Sequence, residues 1–556
     1  MDIKSAKLLV QSLLNRVEQD PSNGKYKLGI ISSQEMQALD LLLVAASDMT
    51  ASPAPVPTAP VASPPPKGVS PTESVAPNQE PAEAFDLKLG ALERTEADDI
   101  RVTVCLDFGT AMSKAFAIQG DANPVELALG RRAGASGYPV ESAIFISDDG
   151  ILYFGPEAIE LGTAAASLGR ARFDSPKARL SMGQQVDIHR AHVRKEINPI
   201  GDIPITEGDL ITLYLGYLTD LATSELQEHG MSRYCARRFA TPCWKEEREK
   251  WAQPLLRKML AQAQILADTF HDLWRSGIPL TEAKAALEQI GKLQVLPDYL
   301  LTEAVPEPVA AAASLMLTDE AQRELFMVVD VGAGTTDFGL FVLQHNPERE
   351  VCVARIVPGT VSMLEQAGNR VDDLLKFFVL DLEGIDTASP EGAHNRVFLE
   401  STIRLHKEAL FRDGQVEIPL ANGSRPVVHL EKFLASSRIT AFSEQLRRAF
   451  AQALGEAGDG YLDLMAQQHL NVVLTGGGAE LPMVQELATG VVEVRGRRIL
   501  RKPIPHVPTW ITERYPQFAP QYPQLAVAIG GANPELPSMA LSFADFKGLP
   551  QPTYTA

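Results

Sequence analysis

Two short turns in this sequence carry aspartate, glycine and threonine in a similar arrangement. The first is DFGTAMSK, beginning at Asp107, and the second is DVGAGTTD, beginning at Asp330. Each turn follows one strand-like apolar run and precedes another, a pattern typical of a β-hairpin. A plain hairpin turn needs one or two glycines, and it needs neither hydroxyls nor carboxylates. The combination therefore raises the question of what these turns bind.

Phosphate and metal binding is the chemistry that suits these residues. Glycines let backbone N–H groups approach an anion closely, and threonine hydroxyls can donate to phosphate oxygens. The carboxylates of Asp107 and Asp330 could hold the waters around Mg²⁺, which keeps most of its hydration shell. A single turn of this kind is more often a simple glycine-rich hairpin. The second copy, 223 positions after the first, favours a pair that holds a polyphosphate from two sides.

The elements that must position these turns belong to an α/β domain. From Arg101 onward, predicted strands and helices alternate, with helices expected over 245–270, 400–411 and 437–454. The predicted strands are VTVCLDFG, FMVVDVG, FGLFVL, VCVARIV and NVVLTGGG. A domain of this size is large enough to form two lobes, and the paired turns suggest that the architecture is duplicated.

Composition divides the 556-residue chain into zones. Residues 1–47 predict a small helical module. Residues 48–97, with ten prolines within 53–81, predict a disordered Pro/Ala-rich linker. The α/β domain is expected to span 98–545, and a short tail is expected over 546–556.

Charge and hydropathy narrow the classes of partner. The net charge of −19 argues against a general nucleic-acid surface, which needs clustered Lys and Arg. No apolar run approaches the roughly 18 residues that span a bilayer, and the N-terminus lacks the features of a signal peptide. Four cysteines without a CxxC pair fit free thiols in a reducing compartment. We therefore expect a cytoplasmic protein with no membrane insertion and no nucleic-acid partner.

Both turns, together with NVVLTGGGAELP at 471–482, resemble the phosphate-1, phosphate-2 and adenosine motifs of the actin, heat-shock chaperone and sugar-kinase superfamily. Within it, the chain is most similar to the ATPase domain of DnaK-type (heat-shock-protein-70) chaperones. This resemblance covers about 101–535 and includes FATPCWKEER at 239–248, PEPVAAAAS at 306–314, GNRVDDLL at 368–375 and AVAIGGA at 526–532. It implies a two-lobed actin-like fold, with ribonuclease-H-like duplicated lobes around a nucleotide cleft.

The resemblance also implies roles for individual residues. Asp107 and Asp330 would bind Mg²⁺ through water, and Glu307 would position the metal and the attacking water. Lys177 would orient that water and the γ-phosphate, and Lys407 would contact the adenosine side. From the residues alone, a solvated charge on a helix is the less favoured alternative for each lysine.

A larger set of residues is implied to bind ATP or ADP around that centre. Thr335 joins the catalytic group. The remaining nucleotide-binding positions are Gly109, Thr110, Ala111, Gly332, Ala333, Gly334, Thr336, Gly476, Gly477 and Gly478.

The chain departs from the chaperone pattern at several positions. Gly478 and Glu480 stand where the chaperones usually carry Ser and Arg, and Ala333 stands where a third glycine is usual. The resulting LTGGGAEL is similar to the version in bacterial actin-like filament proteins. After the last ATPase helix only about twenty residues follow, so we expect no C-terminal peptide-binding domain.

These observations favour a slow, Mg²⁺-dependent ATPase that acts as a nucleotide-driven switch. Its partner or client is an unknown protein, and we expect residues 1–97 to recruit it. An actin-like filament or scaffold protein is the alternative. A small-molecule kinase is less favoured, because the sequence shows no polar cluster suited to an acceptor substrate.

Overall fold

The computed structural model describes residues 86–99, 101–120, 123–316, 322–346, 351–505 and 507–537, and the backbone of two short strands near the N-terminus. The strands β1 (Glu18–Gln19) and β2 (Tyr26–Lys27) pair antiparallel. The rest of the predicted module at 1–47, the predicted linker up to residue 85 and the predicted tail at 546–556 lie outside the described residues. Contacts divide the chain into two compact units, Met1–Ala84 and Phe85–Ala556.

The second unit is a mixed α/β structure. Its strands are β3 (Val102–Asp107), β4 (Met112–Gln119), β5 (Asn123–Val125), β6 (Val140–Glu141), β7 (Ala143–Ile146), β8 (Ile151–Phe154), β9 (Phe173–Asp174), β10 (Ala236–Thr241), β11 (Ile278–Pro279), β12 (Leu301–Pro306), β13 (Gln322–Val331), β14 (Thr336–Asn346), β15 (Val351–Ile356), β16 (Ser362–Leu364), β17 (Gln415–Glu417), β18 (Val427–His429), β19 (Leu470–Thr475), β20 (Gly490–Val494) and β21 (Arg497–Pro503).

The α-helices of this unit are Leu129–Ala133, Gly155–Ala165, Pro176–Met182, Gln185–Arg190, Glu207–Glu228, Glu246–Thr269, Leu280–Ile290, Glu307–Leu315, Gly368–Leu382, Pro390–Glu400, Ile403–Asp413, Leu430–Leu434, Ser437–Gly455, Asp459–Gln467, Pro482–Gln485, Thr509–Arg514 and Tyr522–Gly531. Short 3₁₀ turns cover Gly90–Glu93, Ala166–Leu168, Asp298–Leu300, Glu486–Ala488 and Pro516–Gln521.

Two large sheets repeat one topology. The first has the strand order β12-β10-β3-β4-β5, and the second contains β21-β19-β13-β14-β15. Read in these directions, the successive pairings in each sheet are parallel, parallel, antiparallel and antiparallel. The hairpin with the Asp-Gly turn is β3–β4 in the first sheet and β13–β14 in the second. The duplication suggested by the paired turns is therefore present in the strand order.

Two helices pack tightly against each other between these sheets. Glu307–Leu315 follows β12, and Tyr522–Gly531 closes the described fold. A Cβ atom at Gly530 would lie 1.8 Å from the carbonyl oxygen of Ala310, so only glycine allows this approach. The contact fixes the N-terminus of the helix that carries Glu307.

Most predicted elements are present, with two differences. The strands expected around both turns are confirmed, but the helix expected over 400–411 is interrupted at residues 401–402, and a new helix begins at Ile403. The proline-rich segment 503–523, which is not among the helices predicted from the sequence, contains a helix and a 3₁₀ turn. Its apolar side chains explain this order: Trp510 and Phe518 are both buried, and Trp510 Nε1 donates to the carbonyl of Ser314 at 3.1 Å.

The last part of the predicted linker belongs to the second unit and packs against other parts of it. Ala91 is fully buried, and its carbonyl accepts from the hydroxyl of Tyr299 at 2.8 Å. The amide of Lys88 donates to Thr269 Oγ1 at 3.1 Å. Residues 86–99 therefore form a docked segment that precedes β3.

Candidate active site

A cavity of about 190 Å³ lies where the turns of the two hairpins meet. Its lining includes all but one of the residues predicted for the site: Asp107, Gly109, Thr110, Ala111, Lys177, Glu307, Asp330, Gly332, Ala333, Gly334, Thr335, Lys407, Gly476, Gly477 and Gly478. Thr336 is the exception. Its side chain is buried, and its hydroxyl donates to the carbonyl of Gln366 at 2.8 Å.

The first turn is braced by contacts that leave no space for a side chain at Gly109. A Cβ atom there would lie 1.8 Å from the carbonyl oxygen of Met112. The amide of Gly109 donates to Ser113 Oγ at 3.2 Å, and its carbonyl accepts from Ser142 Oγ at 2.8 Å. These buried bonds fix the turn, so Thr110 is held at the edge of the cavity.

The second turn is tied to the helix that begins at Gly368. The carbonyl of Gly332 accepts from the amide of Gly368 at 3.1 Å, and the carbonyl of Ala333 accepts from the amide of Asn369 at 2.7 Å. The turn therefore cannot shift without the first turn of that helix.

Close approaches between glycines and neighbouring chains bring the turns together. A Cβ atom at Gly334 would lie 2.8 Å from Thr110 Oγ1, so the tips of the two hairpins touch. Gly476 has a φ of +84°, and a Cβ atom there would lie 2.4 Å from the carbonyl oxygen of Val331. The amide of Gly478 donates to that same oxygen at 2.8 Å. The Gly-rich loop after β19 (residues 476–478) is thus anchored on the end of β13.

A buried ion pair lies at the first turn. Lys177 comes from the helix Pro176–Met182 and Glu307 is the first residue of its own helix; their exposed fractions are 3% and 6%. The ammonium group of Lys177 donates to Glu307 Oε1 and lies 4.0 Å from Asp107 Oδ1. Burial by itself lowers the pKa of Lys177, but the attraction of Glu307 and Asp107 outweighs it and raises that pKa. The lysine is therefore charged at neutral pH.

Two carboxylates face each other in the second hairpin. Asp330 and Asp337 are cross-strand partners; Asp330 accepts from Thr475 Oγ1 at 2.8 Å, and Asp337 accepts from the amide of Cys243 at 2.8 Å. Burial, followed by repulsion from Glu307, raises the pKa of Asp330 to about 7. The same two causes raise the pKa of Asp337. These buried carboxylates repel one another, so they cannot all remain ionised together.

Lys114 occupies the matching position in the first hairpin. It is the cross-strand partner of Asp107, and its Nζ lies 3.1 Å from Asp107 Oδ2. The sequence analysis assigned no role to Lys114, although the hairpin register places it opposite Asp107. The two hairpins therefore differ in charge, since one pairs an aspartate with a lysine and the other pairs two aspartates.

Lys407 lines a different part of the cavity, on the helix Ile403–Asp413. Its Nζ lies 2.8 Å from Asp372 Oδ1. Arg404, one helical turn earlier, donates to Asn369 Oδ1 at 3.2 Å. The sequence analysis missed Asp372, Asn369 and Arg404, because only the packing of two helices brings them together.

The donor set around the turns suits Mg²⁺ held through water. Asp107 and Asp330 supply the oxygen ligands that this ion prefers, and a cation would relieve the repulsion that raises the pKa of Asp330. Within the described residues, no three His, Cys, Asp or Glu side chains converge closely enough to enclose a metal ion directly. The residues therefore fit an ion that keeps most of its waters.

Comparison with known proteins finds a chaperone. The chaperone protein HscA homolog of Shewanella sediminis is 29% identical over 223 residues, which cover 40% of this chain and 32% of that relative. The chain thus matches about a third of that relative's length. No protein-family model matches the chain. Over those 223 residues the chain is therefore similar to part of a chaperone protein.

None of the described helices combines the length and the apolar character that crossing a bilayer requires.

Proposed function

We propose that this protein is a slow, Mg²⁺-dependent ATPase with two lobes that close around ATP. The observation that carries the proposal is the meeting of three turns in one cavity. The β3–β4 hairpin, the β13–β14 hairpin and the loop after β19 come from two sheets with repeated topology. A buried lysine and several carboxylates lie beside them, which is the chemistry that a polyphosphate with a divalent cation requires.

Each group has a task in phosphoryl transfer to water. The backbone amides of the turns and the hydroxyls of Thr110 and Thr335 bind phosphate oxygens. Lys177, which is charged and almost fully buried, stabilises negative charge on the terminal phosphate. Glu307 orients the attacking water. Such a reaction depends mainly on positioning and charge stabilisation, so no covalent nucleophile is needed.

The bound metal would neutralise phosphate charge during the transfer. Asp107 and Asp330 would hold its waters. Lys114 limits the negative charge around Asp107 when the metal is absent, because its Nζ lies 3.1 Å from that carboxylate.

The ATPase would act as a switch on a protein partner or client. Two observations support this role: the similarity to a chaperone, and a long N-terminal segment that precedes the docked residues 86–99. We propose that residues 1–97 recruit the partner and that lobe closure reports whether ATP or ADP is bound.

Phosphate release tests the proposal directly. The full chain with Mg-ATP and no acceptor should release phosphate slowly, whereas a small-molecule kinase would need an added acceptor. Asp330→Ala should weaken Mg²⁺-dependent binding and turnover, and the matched control Asp272→Ala, at an exposed position, should not. Unchanged turnover in Asp330→Ala would show that the catalytic assignment is wrong.

A scaffold that assembles on ATP is the second candidate, and the Gly-rich loop favours it. A Cβ atom at Gly478 would lie 2.6 Å from Val331 Cγ1, so the serine usual in chaperones would not fit without a shift. Light scattering at increasing protein concentration separates the candidates. A rise that depends on ATP supports assembly, and a flat signal supports the switch.

A further inference from the structure

The two ends of the cavity are built differently. At the turns, the charged side chains are almost fully buried, with exposed fractions of at most 6% for Asp107, Lys177, Glu307 and Asp330. Beyond the turns, the lining comes from the helix Ile403–Asp413, the Gly-rich loop and the last helix. The side chains that line this second end are Asn369, from the helix Gly368–Leu382, and Arg404, Lys407, Glu408, Leu481, Gln524 and Val527.

Both cations of this second end already have partners. Lys407 Nζ lies 2.8 Å from Asp372 Oδ1 and donates to the carbonyl of Gly368 at 3.3 Å. Arg404 donates to Asn369 Oδ1 at 3.2 Å, and its Nε lies 4.0 Å from Asp372 Oδ2. The carboxylate that they share, Asp372, is buried. Moving either cation onto a ligand would therefore leave the negative charge of Asp372 less well balanced.

A nucleobase is usually recognised by stacking on an aromatic ring or a guanidinium plane and by hydrogen bonds to its edges. None of the described residues that line the cavity is aromatic. Of the remaining polar side chains, Asn369 is half-buried and already bonded, since its Oδ1 accepts from Arg404 and its Nδ2 donates to Ser175 Oγ at 3.3 Å. The other two, Glu408 and Gln524, are both exposed to solvent.

Exposure matters because a site rejects the wrong ligand strongly only when that ligand leaves buried polar groups unpaired. Water can satisfy Glu408 and Gln524 whichever base is bound. The buried groups at the turns would discriminate strongly, but in the proposed function they would contact only phosphate and metal.

We infer that this site selects its substrate by the triphosphate and Mg²⁺ and discriminates little between bases. This inference rests on the proposed function and names its substrate class: nucleoside triphosphates in general rather than ATP alone. The dissociation constants of ATP, GTP, CTP and UTP should fall within about tenfold of one another, a spread of about 1.4 kcal/mol.

Competition binding on the full chain tests the inference. A fluorescent ATP analogue is displaced by the Mg²⁺ complexes of the four nucleotides and, separately, by adenosine. We expect four displacement curves within about tenfold, and no displacement by millimolar adenosine. A preference for ATP of more than about a hundredfold, or tight binding of adenosine, would overturn the inference while leaving an ATPase. Binding of none of the four nucleotides would overturn the proposed function itself.

Two variants sharpen the result. Thr110→Ala removes a hydroxyl at the turns and should weaken all four nucleotides by the same factor. Glu408→Ala should leave the four relative affinities unchanged within about threefold, because water competes for that carboxylate. A change of more than about tenfold in the ratio of ATP to GTP affinity in Glu408→Ala would show that Glu408 reads the base.

Discussion

The buried pair of Lys177 and Glu307 gives the sharpest prediction for a single side chain. Glu307→Gln keeps the shape of the side chain but removes the charge that holds Lys177 and that we propose orients the attacking water. We expect nucleotide to remain bound while turnover falls by about 10²–10⁴-fold, the usual effect of losing a positioned acid–base group. Single-turnover phosphate release and equilibrium binding measure the two quantities separately.

Glu303→Gln is the matched control. Glu303 lies four residues earlier, is exposed, and its Oε2 is 3.5 Å from Arg238 Nε. An exposed ion pair of this kind contributes little, so turnover should not change. Loss of nucleotide binding in Glu307→Gln, with an unchanged rate per bound nucleotide, would contradict the proposed role.

Asp330 makes stability and metal binding depend on pH in opposite directions. Its pKa of about 7 lies above the roughly 3.9 of a free aspartate, so the folded state retains a proton that the unfolded state releases. The stability contributed by this proton is present at low pH and is lost as pH rises from about 4 through 7. Mg²⁺ requires the ionised carboxylate, so its binding strengthens over the upper part of that range.

Thermal unfolding at pH 6 and pH 8 checks both directions. Without metal, we compare the Tm of Asp330→Asn with the Tm of the natural protein at each pH. The difference in favour of Asp330→Asn should be larger at pH 8 than at pH 6. The rise in Tm on adding Mg-ADP should be larger at pH 8 for the natural protein. Equal rises at the two pH values would contradict the assignment of Asp330 to the metal.

At the scale of elements, the first hairpin depends on the missing side chain of Gly109. Gly109→Ala would place a Cβ atom 1.8 Å from the Met112 carbonyl oxygen, so the turn must open. We expect a loss of about 1–3 kcal/mol of stability, typical of overpacking, and a larger loss of nucleotide affinity because the turn amides move. Chemical denaturation and nucleotide titration measure the two effects.

Gly201→Ala serves as the control, because no atom lies within 4 Å of a Cβ atom at that position. It should change neither quantity. Nucleotide affinity that is preserved in Gly109→Ala would show that the first turn does not hold phosphate.

The hairpins themselves could be predicted from local sequence, because glycines and β-branched runs act over a few residues. The two threonines show the limit of that reasoning. Thr335 lines the cavity, whereas Thr336 begins β14 and turns its hydroxyl to Gln366, as alternation along a strand requires. Asp372 could not be predicted, since its link to Lys407 exists only after two helices pack.

At the scale of the whole molecule, the docked residues 86–99 follow the N-terminal residues in the chain and precede β3. Deleting residues 1–85 should leave basal hydrolysis nearly unchanged and abolish partner recruitment, because none of the residues that line the cavity lies in that part of the sequence. Phosphate release and a pull-down with the full chain as reference test this. A large rise in basal hydrolysis would instead indicate that the N-terminal region inhibits the ATPase.

Extending the deletion to residue 97 should have a different effect. It removes the fully buried Ala91 and its bond with Tyr299, so stability should fall by about 1–3 kcal/mol. Comparing the denaturation midpoints of the two deletions separates the stability that residues 86–97 contribute from the recruitment proposed for residues 1–85. Equal midpoints would show that the docked segment contributes no stability.

The docked segment also has a mechanical consequence. It leads into β3, whose six residues run about 20 Å to Asp107 and are bonded to β4 and β10 on both sides. Tension from a partner on the N-terminal region would first load the contacts of Ala91 and Lys88. Only after these contacts break would force reach β3, where it would shear two hydrogen-bond ladders along the strand axis. The docked segment would therefore protect the position of Asp107 from pulling.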